Sequence, residues 1–260
     1  MPYAKLSQAT LYYVVDGPDD APALVLSNSL GSSADMWSQQ VPAFARHFRV
    51  LRYDTRGHGR SSVPDGEYRF DRLAEDVREL MDHVGIERAH FCGLSMGGPT
   101  GMTLALAHPQ RVDRLVLCNT AARLGSVDSW STRMAAVARD TVSAMAPTLV
   151  ERWLTPAYRN AQPGLTQVLT DMLRRTPDAG YIANCAALRD NDLREKARAI
   201  RARTLVIGST HDVAATPQQG RELAEAIPGA RYLELDTSHI SNWEQPDAFT
   251  RAVLDFLQED

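Results

Sequence analysis

Three observations predict an α/β protein with a mostly parallel, doubly wound sheet. Short apolar runs of strand type alternate with longer segments of helical periodicity. Gly93-Leu94-Ser95-Met96-Gly97 lies between one such strand and one such helix, a turn that displays a serine above a sheet edge. A long helical stretch without any strand signal interrupts the alternation once.

In chain order, Thr10 to Asp16 reads as an early strand, ended by the turn residues Gly17-Pro18-Asp19-Asp20. Ala23-Leu24-Val25-Leu26-Ser27 is a continuous apolar run, suited to a strand covered on both faces. A helix is expected over about 37–47, and a strand over Arg49 to Tyr53. Between Phe70 and Val84, the residues Leu73, Val77, Leu80, Met81 and Val84 form a helical stripe. Ala89 to Cys92 is the strand before the serine turn, and Gly98 to His108 the helix after it. Val112 to Leu117, Thr204 to Ile207 and Arg231 to Leu235 supply further strands, and Phe249 to Leu257 a closing helix. Parallel strands joined this way require right-handed crossovers.

The segment between Ala122 and about Leu193 has helical character, with interruptions expected at Pro147, Pro156, Pro163 and Pro177. It carries two of the four tryptophans, Trp130 and Trp153. The expected organisation is a core domain of residues 1–122 and 194–260 with a helical lid, 123–193, inserted between two core strands. Ligands of open α/β sheets bind at the C-terminal strand edge, where such a lid would sit. An extra helical layer remote from that edge is the alternative.

Bulk properties narrow the function classes. Hydrophobic content of 44% and charged content of 23% are those of an ordinary globular protein. A net charge of −4 implies no broad basic surface for nucleic acid. No apolar run is long enough to span a membrane, and the N-terminus lacks a signal peptide's apolar core, so a cytoplasmic location is the default expectation. Cys92, Cys118 and Cys185 are odd in number and lack metal-ligand spacing, so no metal is expected, and Cys92 and Cys118 read as reduced core residues.

The serine turn gains meaning from two loops further on. A serine nucleophile needs a base, and the base needs an orienting acid. Asp212 follows the strand ending at Ile207, and His239 follows the strand ending at Leu235. Ser95, Asp212 and His239 each lie just after a strand and can converge above one sheet edge. Taken singly, Asp212 is equally a turn former or cap, and a lone histidine is more often structural. The ordered conjunction favours the catalytic reading. His47, His58, His83, His90 and His108 read as surface or packing residues. Acyl chemistry also needs two backbone N–H groups for the oxyanion. Met96, at the start of the helix after the serine, is one candidate. Leu30, in the loop Asn28-Ser29-Leu30-Gly31, is the other.

Asp54-Thr55-Arg56-Gly57-His58-Gly59-Arg60-Ser61 resembles the D-x-R-G-x-G-x-S loop of the α/β-hydrolase superfamily, and the Ser, Asp, His order is that superfamily's. The resemblance covers nearly the whole chain. Within the superfamily, the chain is most similar to the 3-oxoadipate enol-lactonases, through Asn28-Ser29-Leu30-Gly31, Asn119-Thr120-Ala121, the segment Ser129 to Arg133 and the segment Glu151 to Pro156. The resemblance implies a small anionic enol-lactone as substrate, opened to 3-oxoadipate through an acyl-enzyme in aromatic-compound catabolism (the β-ketoadipate pathway), without a cofactor. The free carboxylate of that substrate calls for a cation. Arg133 with Trp130 and Trp153 as apolar walls is the expected arrangement. A solvated Arg133 beside two core tryptophans is the alternative, which would pass the role to Arg152 or to neutral donors near Asn119 and Thr120. Asn28 and Ser29 stand to bond either their own loop or the substrate. A carboxylesterase, a carbon–carbon bond hydrolase and a hydrolase-fold ligand receptor with little turnover are the competing functions. Oligomeric state leaves no mark in the sequence.

Overall fold

The computed structural model describes residues 2–259. Its centre is an eight-stranded sheet: β1 (Tyr3–Lys5), β2 (Thr10–Asp16), β3 (Ala23–Ser27), β4 (Arg49–Tyr53), β5 (Ala89–Leu94), β6 (Val112–Cys118), β7 (Arg203–Ser209) and β8 (Arg231–Leu235). The spatial order is β1-β2-β4-β3-β5-β6-β7-β8. β1 and β2 are antiparallel to their neighbours, and β4 through β8 run parallel. The three-residue β1 is an addition to the expected strands; it is too short to carry a periodic signal.

The period of two along each strand sorts the core into two layers. Val25, Leu51, Phe91, Leu115, Leu117 and Val206 face α2 (Phe70–His83), α3 (Gly97–Ala107) and α9 (Pro217–Ala226). Leu24, Leu26, Cys92, Val116, Cys118 and Ile207 face the other side, with α1 (Val41–Phe44), the short α10 (Ser241–Glu244) and α11 (Pro246–Leu257). Between β6 and β7 run α4 (Val127–Asp140), α5 (Val142–Glu151), α6 (Pro156–Ala161), α7 (Pro163–Arg174) and α8 (Asp178–Arg189). Their apolar residues Val137, Leu149, Leu173 and Leu188 join the second layer. Cys92, Cys118 and Cys185 are buried and free, and no helix of the described residues is long and apolar enough to cross a membrane.

Two helical expectations need correction. The helix over 37–47 is instead a 3₁₀ turn, Ala34–Trp37, followed by α1. Pro42 is tolerated only in a first helical turn, so α1 begins at Val41. Pro147 does not interrupt anything: it lies inside α5. A helix-interior proline costs roughly 3 kcal/mol. Burying Val142, Leu149 and Val150 contributes about 1.5–3 kcal/mol each and outweighs it. Pro156 and Pro163 start helices and Pro177 precedes α8, as breakers should.

Candidate active site

β5 delivers Ser95 at its C-terminal end, in the left-handed region with φ 54°. Such a conformation costs about 1–3 kcal/mol for a residue with a side chain. Hydrogen bonds hold it on both sides. The Ser95 N–H donates to Cys118 O (2.8 Å), while Ser95 O accepts from Thr120 Oγ1 (2.8 Å) and the Gly98 N–H (2.9 Å). The flanking glycines are required by close approach. A Cβ on Gly97 would sit 2.3 Å from Ser27 O, and one on Gly93 2.2 Å from Gly97 O.

The loops after β7 and β8 bring Asp212 and His239 to the same place. His239 Nε2 lies 2.9 Å from Ser95 Oγ, and His239 Nδ1 lies 2.8 Å from Asp212 Oδ2. A carboxylate partner fixes the proton on Nδ1, which leaves Nε2 free to accept the serine proton. Asp212 Oδ1 accepts the N–H groups of Ala214 (2.8 Å) and Ala215 (3.0 Å). Burial alone would raise the Asp212 pKa. His239 and the two backbone donors outweigh that, so the carboxyl sits below its usual range and stays ionised.

Asn119, just after β6, completes the support. Its backbone is left-handed (φ 47°), and Nδ2 donates to Asp212 Oδ2 (3.1 Å) and Ser209 Oγ (2.7 Å) while Oδ1 accepts from Ser241 Oγ (2.6 Å). The His239 loop is tied to the inserted helices. Ile240 N–H donates to Trp153 O (3.0 Å), and Glu244 accepts from both the Ser238 N–H (2.9 Å) and Thr155 Oγ1 (2.6 Å).

A cavity of about 310 Å³ opens above Ser95. Ser29, Leu30, Ser95 and His239 line one side; Trp130, Arg133, Arg152, Trp153 and Tyr181 line the other. Every residue expected at the site therefore borders the cavity except Met96 and Asp212, which stand behind Ser95 and His239. Arg133 is half-buried and donates to Tyr181 Oη (3.2 Å). Arg152 is exposed at the rim. Among the described residues neither arginine pairs with a carboxylate, and no Asp or Glu lines the cavity. Trp130 Nε1 donates to Leu124 O (2.6 Å), which turns its ring into a fixed wall.

The loop after β3 resolves the question over Asn28 and Ser29. Asn28 turns away: Nδ2 donates to Tyr53 O (2.5 Å) and Oδ1 accepts from Trp37 Nε1 (2.9 Å). Asn28 thus bonds its own loop's surroundings, while Ser29 borders the cavity. Neither the Leu30 N–H nor the Met96 N–H donates to a protein acceptor among the described residues.

Sequence reasoning missed the supporting groups. His58, read as surface or packing, is fully buried and accepts the Gly31 N–H through Nε2 (2.8 Å). Tyr181 and Glu244 gave no signal, because their positions depend on contacts between distant segments. The remaining histidines stay outside the site: His108 meets Glu75, His211 pairs with Asp236 (2.9 Å), and His90 lies 3.4 Å from Asp113.

A family model described as the alpha/beta hydrolase fold matches residues 22–246. The chain is 41% identical over 243 residues to 3-oxoadipate enol-lactonase 2 of Acinetobacter baylyi, covering 94% of this chain and 91% of that relative. It is 36% identical over 249 residues to 3-oxoadipate enol-lactonase 1 of the same organism, covering 96% and 93%. The crystal structure of the enol-lactonase from Burkholderia xenovorans LB400 is 51% identical and superposes with a TM-score of 0.98, covering 99% of this chain and 100% of that one. The chain is a hydrolase and belongs to the α/β-hydrolase fold family.

Proposed function

We propose that this protein is a serine hydrolase that opens 3-oxoadipate enol-lactone to 3-oxoadipate through an acyl-enzyme, in aromatic-compound catabolism. The observation that carries the reading is a pair of arginines without acidic partners, Arg133 and Arg152, in the same cavity as the Ser95–His239–Asp212 line. A neutral ester would leave those cations without a counter-charge; a lactone bearing a carboxylate supplies one.

Ser95 Oγ attacks the lactone carbonyl as its proton passes to His239 Nε2. Asp212 stabilises the imidazolium and holds its tautomer. The Leu30 and Met96 N–H groups donate to the oxyanion, with the N-terminus of α3 adding its dipole. The ring C–O bond then breaks, and the departing enol oxygen takes the proton from His239. An enol leaves far more readily than an alkoxide, and its tautomerisation to the ketone draws the reaction forward. Water, deprotonated by His239, attacks the acyl carbonyl. A second carboxylate departs, and the proton returns to Ser95. Trp130 and Trp153 flank the ring, and Arg133 receives the free carboxylate.

The test is product analysis with 3-oxoadipate enol-lactone. Wild-type protein should convert it to 3-oxoadipate over many turnovers, and Ser95→Ala should not. Cleavage of 4-nitrophenyl acetate with no opening of the lactone would make the protein a carboxylesterase. Binding of the lactone without turnover of either would make it a receptor.

A further inference from the structure

Three successive peptide planes of the loop after β3 are each pinned by a different partner. Ser29 O accepts from the Ser32 N–H (3.1 Å) and Ser32 Oγ (2.8 Å). In a trans peptide the C=O and N–H point in opposite directions, so the Leu30 N–H is aimed away from Ser32. The Gly31 N–H donates to His58 Nε2 (2.8 Å), and Gly31 O accepts from Thr176 Oγ1 (3.1 Å). Gly31 has φ +80°, and a Cβ there would lie 2.2 Å from Leu173 Cδ1. No side chain fits there, and the plane between Leu30 and Gly31 is held through the Gly31 N–H by His58.

His58 is itself firmly seated. Its Nδ1 lies 3.3 Å from Arg56 O, which places the proton on Nδ1 and leaves the Nε2 lone pair for Gly31. Asn184 Nδ2 donates to the same Arg56 carbonyl (2.9 Å), and Arg56 forks onto Asp76 (2.5 and 2.7 Å). Burial pushes the imidazole down to about 4, with the Arg56 carbonyl and Asp54 acting the other way, so His58 is a neutral acceptor at physiological pH.

We propose that His58 is a positioning residue for oxyanion stabilisation: it holds the Leu30–Gly31 peptide and so, through the shared Leu30 Cα, steadies the adjoining Ser29–Leu30 plane that carries the Leu30 N–H. The proposal rests on the reading of Ser95 as nucleophile and Leu30 as oxyanion donor. It gives a function to a buried histidine that never touches the substrate. Thr176, from the connection between α7 and α8, does the same for the next peptide plane and links the inserted helices to the loop.

The experiment uses 4-nitrophenyl acetate as substrate and phenylboronic acid as probe. The boron takes the Ser95 oxygen as a fourth ligand, with the hydroxyl proton passing to His239, so its affinity reports on the tetrahedral state. His58→Leu deletes the acceptor and should lower kcat about 10- to 100-fold, less than the ~10²–10³ for outright loss of an oxyanion donor. KM should change little, and boronate affinity should fall in parallel with kcat. His58→Gln can place an oxygen near the former Nε2 and should restore most of both. His58→Asn is too short and should behave like the leucine variant, so the Gln and Asn pair carries the test if leucine prevents folding. Thr176→Val should show a smaller loss of the same kind. Unchanged kcat in His58→Leu or His58→Asn, a kcat loss without a boronate loss, or no rescue by glutamine would overturn the proposal. Ser95→Ala is measured alongside. If it kept turnover, the reading of the site would fall, whatever the His58 variants did.

Discussion

The two walls of the cavity are built on opposite principles. On the sheet side, each polar side chain of the Ser95–His239–Asp212 line has a protein partner: Ser95 on His239, His239 on Asp212, Asp212 on Asn119 and two backbone N–H groups. On the helical side, Arg133 and Arg152 have no carboxylate partner among the described residues, and Trp130 and Trp153 present flat apolar surface. A saturated network is rigid and already arranged for a developing charge, which is what a chemical step needs. An unsaturated cation is incomplete until a ligand arrives, which is what discrimination needs. Under the proposed function, the sheet wall sets how fast bonds are made and broken, and the helical wall sets whose bonds they are.

The largest effect should come from breaking the sheet wall at its centre. Ser95→Ala should lower kcat by about 10⁴-fold or more on every substrate, with the fold intact by circular dichroism. Substrate-dependent residual activity would blur the division between the walls. Asp212→Asn should follow, with a loss of about 10³-fold, again equal for charged and neutral substrates. Near-normal rates would move the acid elsewhere.

Variants of the helical wall should separate substrates instead. Arg133→Ala should lower kcat/KM on the anionic lactone by roughly 30-fold or more, since breaking a buried charge pair costs about 2–5 kcal/mol. The loss on a neutral ester should stay within about threefold. Arg152→Ala should act in the same sense but less, because Arg152 is exposed and its charge is screened by water. Arg133→Lys should rescue only in part, for want of the planar fork. Equal losses on both substrates would make Arg133 a structural support for the helices.

A smaller effect concerns stability. His58 has a folded pKa of about 4, below its unfolded value. Between those two values the unfolded chain binds the extra proton, so stability falls as pH drops through that window. From pH 7.5 to pH 5 this single group should cost about 2 kcal/mol. Urea unfolding of His58→Gln at the two pH values should lack that component. Ser29→Gly should have the smallest effect, within about threefold in kcat, because the proposed oxyanion donor beside it is the backbone of Leu30. A tenfold loss would mean that the hydroxyl contacts substrate.

The sheet was legible because its inner strands are covered on both faces over their C-terminal parts: β3, β6 and β7 carry the apolar stretches Leu24–Leu26, Leu115–Cys118 and Leu205–Ile207, and β5 carries Phe91–Cys92. The positions of Ser95, Asp212 and His239 were legible for a related reason, since parallel strands present all their C-terminal ends at one edge. What escaped was set by contacts across long sequence separations. Nothing local in His58 shows that Gly31 lies against it, and nothing in Asn119 shows that it grips Asp212. The misreading of Pro147 in α5 has the opposite origin, a correct local rule outweighed by tertiary burial.

The division between the walls is tested most directly by wild-type protein with two substrates, 3-oxoadipate enol-lactone and the same lactone with its free carboxylate masked as a methyl ester. The two share a reacting centre and differ in one charge. A preference for the anion of about 100-fold or more in kcat/KM, roughly 2.7 kcal/mol, is the expected result. Equal values, or faster turnover of the masked lactone, would contradict the assignment of Arg133 and Arg152 to a substrate carboxylate.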